Sequence, residues 1–200
     1  MRDLTLISFV FFAGLLTSCA NNVGRSWVAP DMRTASLQKL GVVALTKQEV
    51  YRREAEWALA QELGDRGLAS YTVLPELRAL RDTAAVVRTL RENGCDGIVT
   101  LQLKSGKVRP DIRSAPRPAA SPAQVMDDYW VDPSAQDVMA FAAGQYFTVE
   151  VHVFDLAKGG MVYNGLVVEQ GARDTQDLVR MVRRTVMNDL RRKGVVGSQR

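Results

Sequence analysis

The sequence predicts an α/β fold, in which one mixed β-sheet forms a single domain with three helices. Between residues 40 and 103, apolar runs of strand length alternate with amphipathic runs of helix length, in the order β-α-β-α-β. Between residues 146 and 169, two strand-like runs flank a glycine-containing turn, which is typical of a hairpin. We expect the first three strands to pair in parallel in the order 2-1-3, with the hairpin extending the sheet antiparallel.

The first strand and helix are read from residues 40 to about 67. Leu40–Leu45 is apolar throughout, as in a strand that is covered on both faces. Thr46 and Glu49 have the spacing of a capping box, so a helix should begin there and end near Gly64 or Gly67. The helical spacing predicts an inner face made of Tyr51, Ala55, Ala58, Leu59 and Leu63.

The next two strands enclose a second helix. Residues 69–74, closed by Pro75, predict a short strand. Asp82 can cap a helix that ends at Asn93-Gly94, because glycine favours the backbone conformation found just after a helix. Residues 97–103 predict the third strand. The helix would pack through Val86, Val87 and Leu90.

The last elements are the hairpin and a final helix. In Tyr146–Asp155 the side chains alternate, with Phe147, Val149, Val151 and Val153 on one face of the strand. The turn at residues 157–160 leads to a returning strand. Asp174 can cap a helix that ends at Gly194. Its predicted inner face is Leu178, Val182, Val186 and Leu190.

A long loop, residues 104–145, separates the two halves of the predicted sheet. It contains five of the seven prolines, and residues 113–122 are expected to be mobile and irregular. Such a loop is often functional, although a tolerated insertion is the alternative. Tyr129 and Trp130 within it are candidate partner-binding residues, because exposed aromatic side chains often anchor partners or sugars; alternatively they fold back on the sheet.

The sequence offers few residues for catalysis. His152 is the single histidine and lies in the middle of a predicted strand, where it is expected to face solvent or Glu150. No G-x-S-x-G, H-E-x-x-H or C-x-x-C motif is present, and no glycine-rich phosphate loop follows the first strand. We therefore expect no catalytic residues, no metal and no cofactor. The alternative is a hydrolase or glycan-processing enzyme that uses carboxylates such as Asp127, Asp128 or Glu150.

Charge also limits the choice of partners. The net charge of +4 is mild and does not indicate nucleic-acid binding. The acidic residues in the loop could bind calcium, but their spacing lacks the EF-hand glycine and final glutamate, so a solvated loop is expected. The final helix has a basic outer face, which is either solvated or meets anionic lipid or glycan. These acidic and basic residues are Asp127, Asp128, Asp132, Asp137, Arg180, Arg183, Arg184, Arg191, Arg192 and Lys193.

The amino terminus has the pattern of an exported protein. Arg2 precedes an apolar run from Leu4 to Leu16 that is too short to cross a bilayer. The following Leu16-Thr17-Ser18-Cys19 resembles the lipobox of bacterial lipoproteins. That resemblance implies removal of residues 1–18 as a signal peptide and attachment of fatty acids such as palmitate to Cys19. The alternative is an ordinary secretory signal.

The lipobox resemblance also implies a location. Residues 19–36 would be a lipidated tether and residues 37–196 the folded domain. Because Ala20 rather than aspartate follows Cys19, similarity to enterobacterial lipoproteins favours the outer membrane, on its periplasmic face. Cys95 would then have no partner for a disulfide, and burial at the entrance to the third strand is expected.

The layout after the lipobox is similar to that of small envelope lipoproteins. The segments that carry the similarity are residues 40–45, 96–101 and 151–165. They resemble the amino-terminal domain of TolB, the lipoprotein activators of penicillin-binding proteins and the core of the curli-export lipoprotein. These domains are non-catalytic and bind other envelope proteins. The resemblance implies a tethered lipoprotein that binds an envelope protein or glycan, with a purely structural surface lipoprotein as another possibility.

Overall fold

The chain forms six strands and four α-helices within the residues that the computed structural model describes, which are 23–30, 37–106, 121–131, 141 and 143–197. The strands are β1 Val23–Val28, β2 Leu40–Leu45, β3 Gly67–Ala69, β4 Gly97–Gly106, β5 Tyr146–Asp155 and β6 Met161–Gln170. The helices are α1 Glu49–Leu63, α2 Thr83–Glu92, α3 Pro122–Val131 and α4 Thr175–Arg192. No helix in these ranges combines the length and apolar character needed to span a membrane.

The strands form one mixed sheet in the order β1-β6-β5-β4-β2-β3. β2 pairs in parallel with both β3 and β4, which confirms the predicted 2-1-3 order of the first half. β5 is antiparallel to β4 and to β6, so the hairpin extends the sheet as predicted. The predicted α/β class with a single domain and a mixed sheet is therefore confirmed, but four helices rather than three cover the sheet.

Each face of the sheet carries its own core. On one face, α1 and α4 pack through residues such as Leu59 and Val186 onto the strands. On the other face, α2 and α3 pack through Val86 and Met126. Alternation along β5 places Val151 in the first core and Phe154 in the second, because successive side chains of a strand point to opposite faces.

The helix ends follow the sequence signals in α2 and α4 but not in α1. The carboxylates of Asp82 and Asp174 each accept a hydrogen bond from a backbone amide in the first turn, as predicted. The predicted capping box at Thr46 and Glu49 is wrong. Gln48 is the N-cap without a side-chain hydrogen bond, and Thr46 Oγ1 instead accepts from the amide of Gln48 at 3.2 Å.

Two predicted segments differ from the structure at their boundaries. The second strand ends at Ala69, not at residue 74, and a 3-10 turn follows it. Two side chains of α1 hold this turn: Glu56 accepts from the amide of Tyr71, and Arg52 donates to the carbonyl of Leu74. β1 lies within residues 19–36, which the sequence assigned to a tether. As an edge strand with one neighbour, β1 is held by hydrogen bonds to β6 and carries no apolar alternation to reveal it.

The third difference is α3, inside the predicted irregular loop. Ser121 Oγ accepts a hydrogen bond from the amide of Gln124 at 3.2 Å, and Pro122 occupies the first turn, where it has no amide hydrogen to leave unpaired. Val125, Met126 and Tyr129 share one buried face. The sequence therefore contains a helix-start signal for α3, the Ser-Pro-x-Gln pattern at residues 121–124.

Cys95 is buried just before β4, as predicted. The residue is 5% exposed, and burial raises the pKa of its thiol to about 11, with Lys39 opposing the rise and Asp96 adding to it. The thiol is consequently almost wholly protonated at neutral pH.

We predict that native Cys95 resists alkylation. Because its pKa is about 11 rather than 9.0, the thiolate fraction at pH 8 is lower by about a hundredfold, and burial hinders the reagent further. Reaction with iodoacetamide, followed by intact mass, should be at least about a hundredfold slower in the native protein than in urea. A Cys95→Ser variant is the negative control for alkylation at other positions. Equal rates in the two states would contradict the burial of this thiol.

Candidate functional site

An apolar pocket lies between α1 and α4 on the first face of the sheet. It encloses about 630 Å³, open solvent at its mouth included, of which about 70 Å³ is available to the centre of a water molecule. Its floor is formed by β2, β4 and β5, through residues such as Ala44, Leu101 and Val149. Only Thr46, Thr175 and Arg183 among its lining residues are polar, so the pocket favours an apolar occupant.

The pocket exists because α1 and α4 are joined at one end and separated at the other. Both helices begin at the same end of the sheet. Near their carboxyl ends, Glu62 of α1 contacts Arg191 at 3.1 Å and Arg183 at 3.8 Å. Nearer their amino ends, small side chains such as Ala55 leave space between the helices and the sheet. The half-exposed lining residues Tyr51 and Val179 lie in this half, so the mouth is there.

A buried ion pair holds α1 against the sheet beside this pocket. Arg52 and Glu56 are both fully buried, and Arg52 Nε donates to Glu56 Oε1 at 3.1 Å. Ser70 Oγ and the backbone amides of Ala44 and Tyr71 also donate to the Glu56 carboxylate, at 2.7 to 3.0 Å. Arg52 Nη2 donates to Ser70 Oγ at 3.1 Å and to the carbonyl of Leu74 at 2.7 Å.

The charges and hydrogen bonds of Arg52 and Glu56 serve to connect structural elements. Burial raises the pKa of Glu56, while Arg52 and the hydrogen bonds from Ala44, Ser70 and Tyr71 act in the opposite direction. The links join α1, β2 and the turn after β3, so they position the helix that forms one wall of the pocket. Sequence reasoning missed them, because Arg52 and Glu56 lie beside the apolar stripe of α1 and were assigned no role.

A second, basic cleft lies on the other face of the sheet, around Trp130. Its lining consists of Lys47, Leu77, Arg78, Arg81 and Trp130. The guanidinium of Arg81 lies 5.5 Å from the centre of the Trp130 ring, within the range of a cation–π contact. The indole Nε1 donates to the carbonyl of Leu80 at 3.3 Å, which fixes the orientation of the ring. A cationic cleft beside an aromatic face suits an anionic group.

The two aromatic residues predicted to bind a partner have different environments. Tyr129 is 4% exposed in the core between the sheet, α2 and α3, which is the folded-back alternative. Trp130 is half-buried, stands edge-on to Tyr129 at 5.1 Å and lines the basic cleft. Of the two alternatives, Tyr129 follows the second because α3 turns it toward the core, whereas Trp130 remains partly accessible at the cleft.

The candidate acid–base residues are spread over several elements. His152 is buried on β5, so the solvent-facing alternative is wrong, and its Nδ1 lies 3.3 Å from the hydroxyl of Thr100. Asp127 accepts a hydrogen bond from Thr83 at 3.3 Å, Asp128 is exposed on α3, and Glu150 is half-buried on β5. No group of three or more residues suited to hold a metal occurs in the described ranges. Asp132 and Asp137 lie outside those ranges.

The basic face of α4 is partly paired. Arg180 contacts Asp177 at 3.4 Å, Arg192 contacts Asp189, and Glu62 faces Arg183 and Arg191. The pairing within α4 and across to α1 reduces the positive field that the sequence alone indicated. Cys19, the predicted lipidation site, lies outside the described residues.

Comparison with known proteins identifies one similar fold and no family. No protein-family model matches the sequence, and no curated protein matches it. Among solved structures, the chain is similar to a PelC dodecamer from Paraburkholderia phytofirmans, with 11% identity and a TM-score of 0.40. The match covers 87% of this chain and 97% of that chain.

We predict that Arg52→Met lowers the free energy of unfolding by about 3–5 kcal/mol, because it leaves a buried carboxylate without its counter-ion. The matched control is Arg53→Met, the next residue on α1. Arg53 is 53% exposed and pairs with Glu49 at 2.8 Å, so its loss should cost less than about 1 kcal/mol. Urea unfolding of both variants measures the difference. Equal losses of unfolding free energy would show that the buried pair stabilises the fold no more than the exposed pair does.

Proposed function

We propose that this chain is a membrane-tethered lipoprotein of the bacterial cell envelope, without catalytic activity, that binds an envelope partner. The observation that carries the proposal is the lipobox-like Leu16-Thr17-Ser18-Cys19 behind a short apolar run. In bacterial lipoproteins such a cysteine is acylated after removal of the preceding peptide. Two or more acyl chains hold a protein stably on a bilayer, whereas one chain holds it only marginally.

The attachment determines which end of the domain faces the membrane. β1 begins at Val23, four residues after Cys19, so the Cα atoms of these residues are separated by at most about 14 Å. The end of the sheet at which β1 begins therefore lies close to the bilayer. Ala20 favours the periplasmic face of the outer membrane, as in the lipoproteins that the amino terminus resembles.

The basic cleft supports a binding role for the domain. Lys47, Arg78 and Arg81 converge beside the half-buried ring of Trp130, and Arg78 also pairs with Glu76. Cations and an aromatic face together favour an anionic partner, either an acidic segment of an envelope protein or an acidic glycan. We therefore propose the cleft, with Trp130 at its centre, as the contact surface. In this proposal Tyr129 supports the surface from within the core.

We predict that Cys19 carries all the lipid. Cells grown with an alkyne analogue of palmitate should label the wild-type protein, and intact mass should show a mature chain that begins at acylated Cys19. Cys19→Ser should abolish the label, because the variant lacks the sulfur of the lipobox cysteine and Cys95 is buried. Cys95→Ser is the matched control and should retain it. An unmodified wild-type chain that still begins at Met1 would overturn the lipoprotein assignment.

We predict that charge reversal in the cleft removes the partner. In intact cells, Lys47→Glu with Arg81→Glu should lower the recovery of crosslinked envelope partners by at least about tenfold, because like charges across an interface repel. Arg88→Glu with Lys193→Glu makes the same charge change at two exposed positions outside the cleft and should leave recovery unchanged. Crosslinking followed by mass spectrometry provides the measurement. Equal recovery from both double variants would exclude the cleft as the contact.

A further inference from the structure

We propose that the apolar pocket between α1 and α4 holds one of the fatty acyl chains attached to Cys19. This inference rests on the proposed lipidation and adds a binding site for part of the anchor. The occupant is a named part of this chain, and three observations support it: the position of β1, the length of chain before it, and the composition of the pocket.

The first observation is the register of the sheet. Val23 of β1 pairs with Val167 of β6, Val167 pairs with Val149 of β5, and Val149 pairs with Leu103 of β4. These four residues form one row across the sheet. Neighbouring strands are about 4.8 Å apart, so the start of β1 lies only about 10 Å from Val149. Val149 and Leu103 both line the pocket.

The second observation is the length of chain between Cys19 and β1. Four residues separate Cys19 from Val23, which limits the distance between their Cα atoms to about 14 Å. The lipid-bearing sulfur is therefore confined to the neighbourhood of the end of the sheet where the pocket opens.

The third observation is the chemistry and direction of the pocket. Tyr51 and Val179 are half-exposed near the starts of α1 and α4, and Leu103 is half-exposed near the end of β4, so the mouth is at the end of the sheet where β1 begins. The interior is aliphatic and the ion pairs of Glu62 cross the far end. An apolar cavity with its mouth at this end suits the apolar end of a hydrocarbon chain.

The arrangement is compatible with stable anchoring. A fully processed lipoprotein of the kind resembled here carries two chains on its sulfur and one on its new amino group. If one chain enters the pocket, two remain for the bilayer, which is sufficient for stable attachment. The seated chain would also hold the domain in one orientation on the membrane, because α1, α4 and the sheet contact the same lipid that anchors the chain.

The test uses the full-length protein in its native cells. Cells are fed a fatty acid that carries a photoreactive diazirine near its end, irradiated, and the protein is purified and digested. We expect mass spectrometry to find peptides in which the acyl chain on Cys19 is joined to residues of the pocket, such as Tyr51 or Val179. Growth in mixed nitrogen isotopes distinguishes links within one molecule from links between two copies.

A filled pocket provides the matched comparison. Val179→Trp places a large ring in the mouth and should lower the yield of these links by at least about fivefold, without changing acylation of Cys19. Val50→Trp makes the same replacement at a residue of α1 that is 71% exposed and lies outside the pocket lining, and should leave the yield unchanged. Thermal unfolding verifies that each variant is folded. If Val179→Trp fails to fold, Ala55→Leu replaces it.

The outcomes separate this inference from the lipoprotein assignment. Acylated Cys19 without links to the pocket overturns the inference and leaves the assignment intact. Pocket residues linked to free phospholipid chains, or to the Cys19 chain of another copy, also overturn it, because the occupant is then different. If intact mass shows no acyl group on Cys19, the lipoprotein assignment itself fails.

Discussion

The hydrogen bonding of β5 to both of its neighbours determines the direction of the elements that define the candidate sites. β5 pairs along its whole length with β4 on one side and, apart from one irregularity near its end, with β6 on the other, antiparallel in each case. β6 must therefore run parallel to β4 and β2. Because β1 is antiparallel to β6, it begins at the end where β2, β4 and β6 finish. The same end carries the first turns of α1 and α4, so the start of β1 and the mouth of the apolar pocket are neighbours.

The pocket remains open because α1 and α4 are held by polar contacts at particular points and by apolar packing elsewhere. The Arg52–Glu56 pair ties α1 to the amide of Ala44 and to the turn after β3, while Glu62 ties its last turn to α4. Buried charges require such partners, since an isolated charge in the core is costly. These contacts position α1, and the small side chains of Ala44 and Ala55 leave the space between the helix and the sheet unfilled.

In the proposed function, the two faces of the sheet bind different kinds of ligand. The face covered by α1 and α4 presents an apolar pocket, which suits lipid. The face covered by α2 and α3 presents a cationic cleft beside Trp130, which suits an anionic partner. Lys47, which follows β2, brings the cleft to the end of the sheet at which β1 begins. A tether that starts close to this end would place both surfaces near the membrane.

Local patterns in the sequence determined the α/β class, the parallel 2-1-3 core, the hairpin and the caps of α2 and α4, because apolar periodicity and N-cap residues act within a few positions. The lipobox prediction also depends on local sequence alone. Tertiary structure decided the rest. β1 forms only because β6 supplies its hydrogen bonds, and Tyr129 is buried only because α3 packs on the sheet. The pocket joins residues far apart in the chain, and the Arg52–Glu56 pair on α1 binds β2 and the turn after β3. These contacts arise from strand order and helix placement, which no short segment encodes.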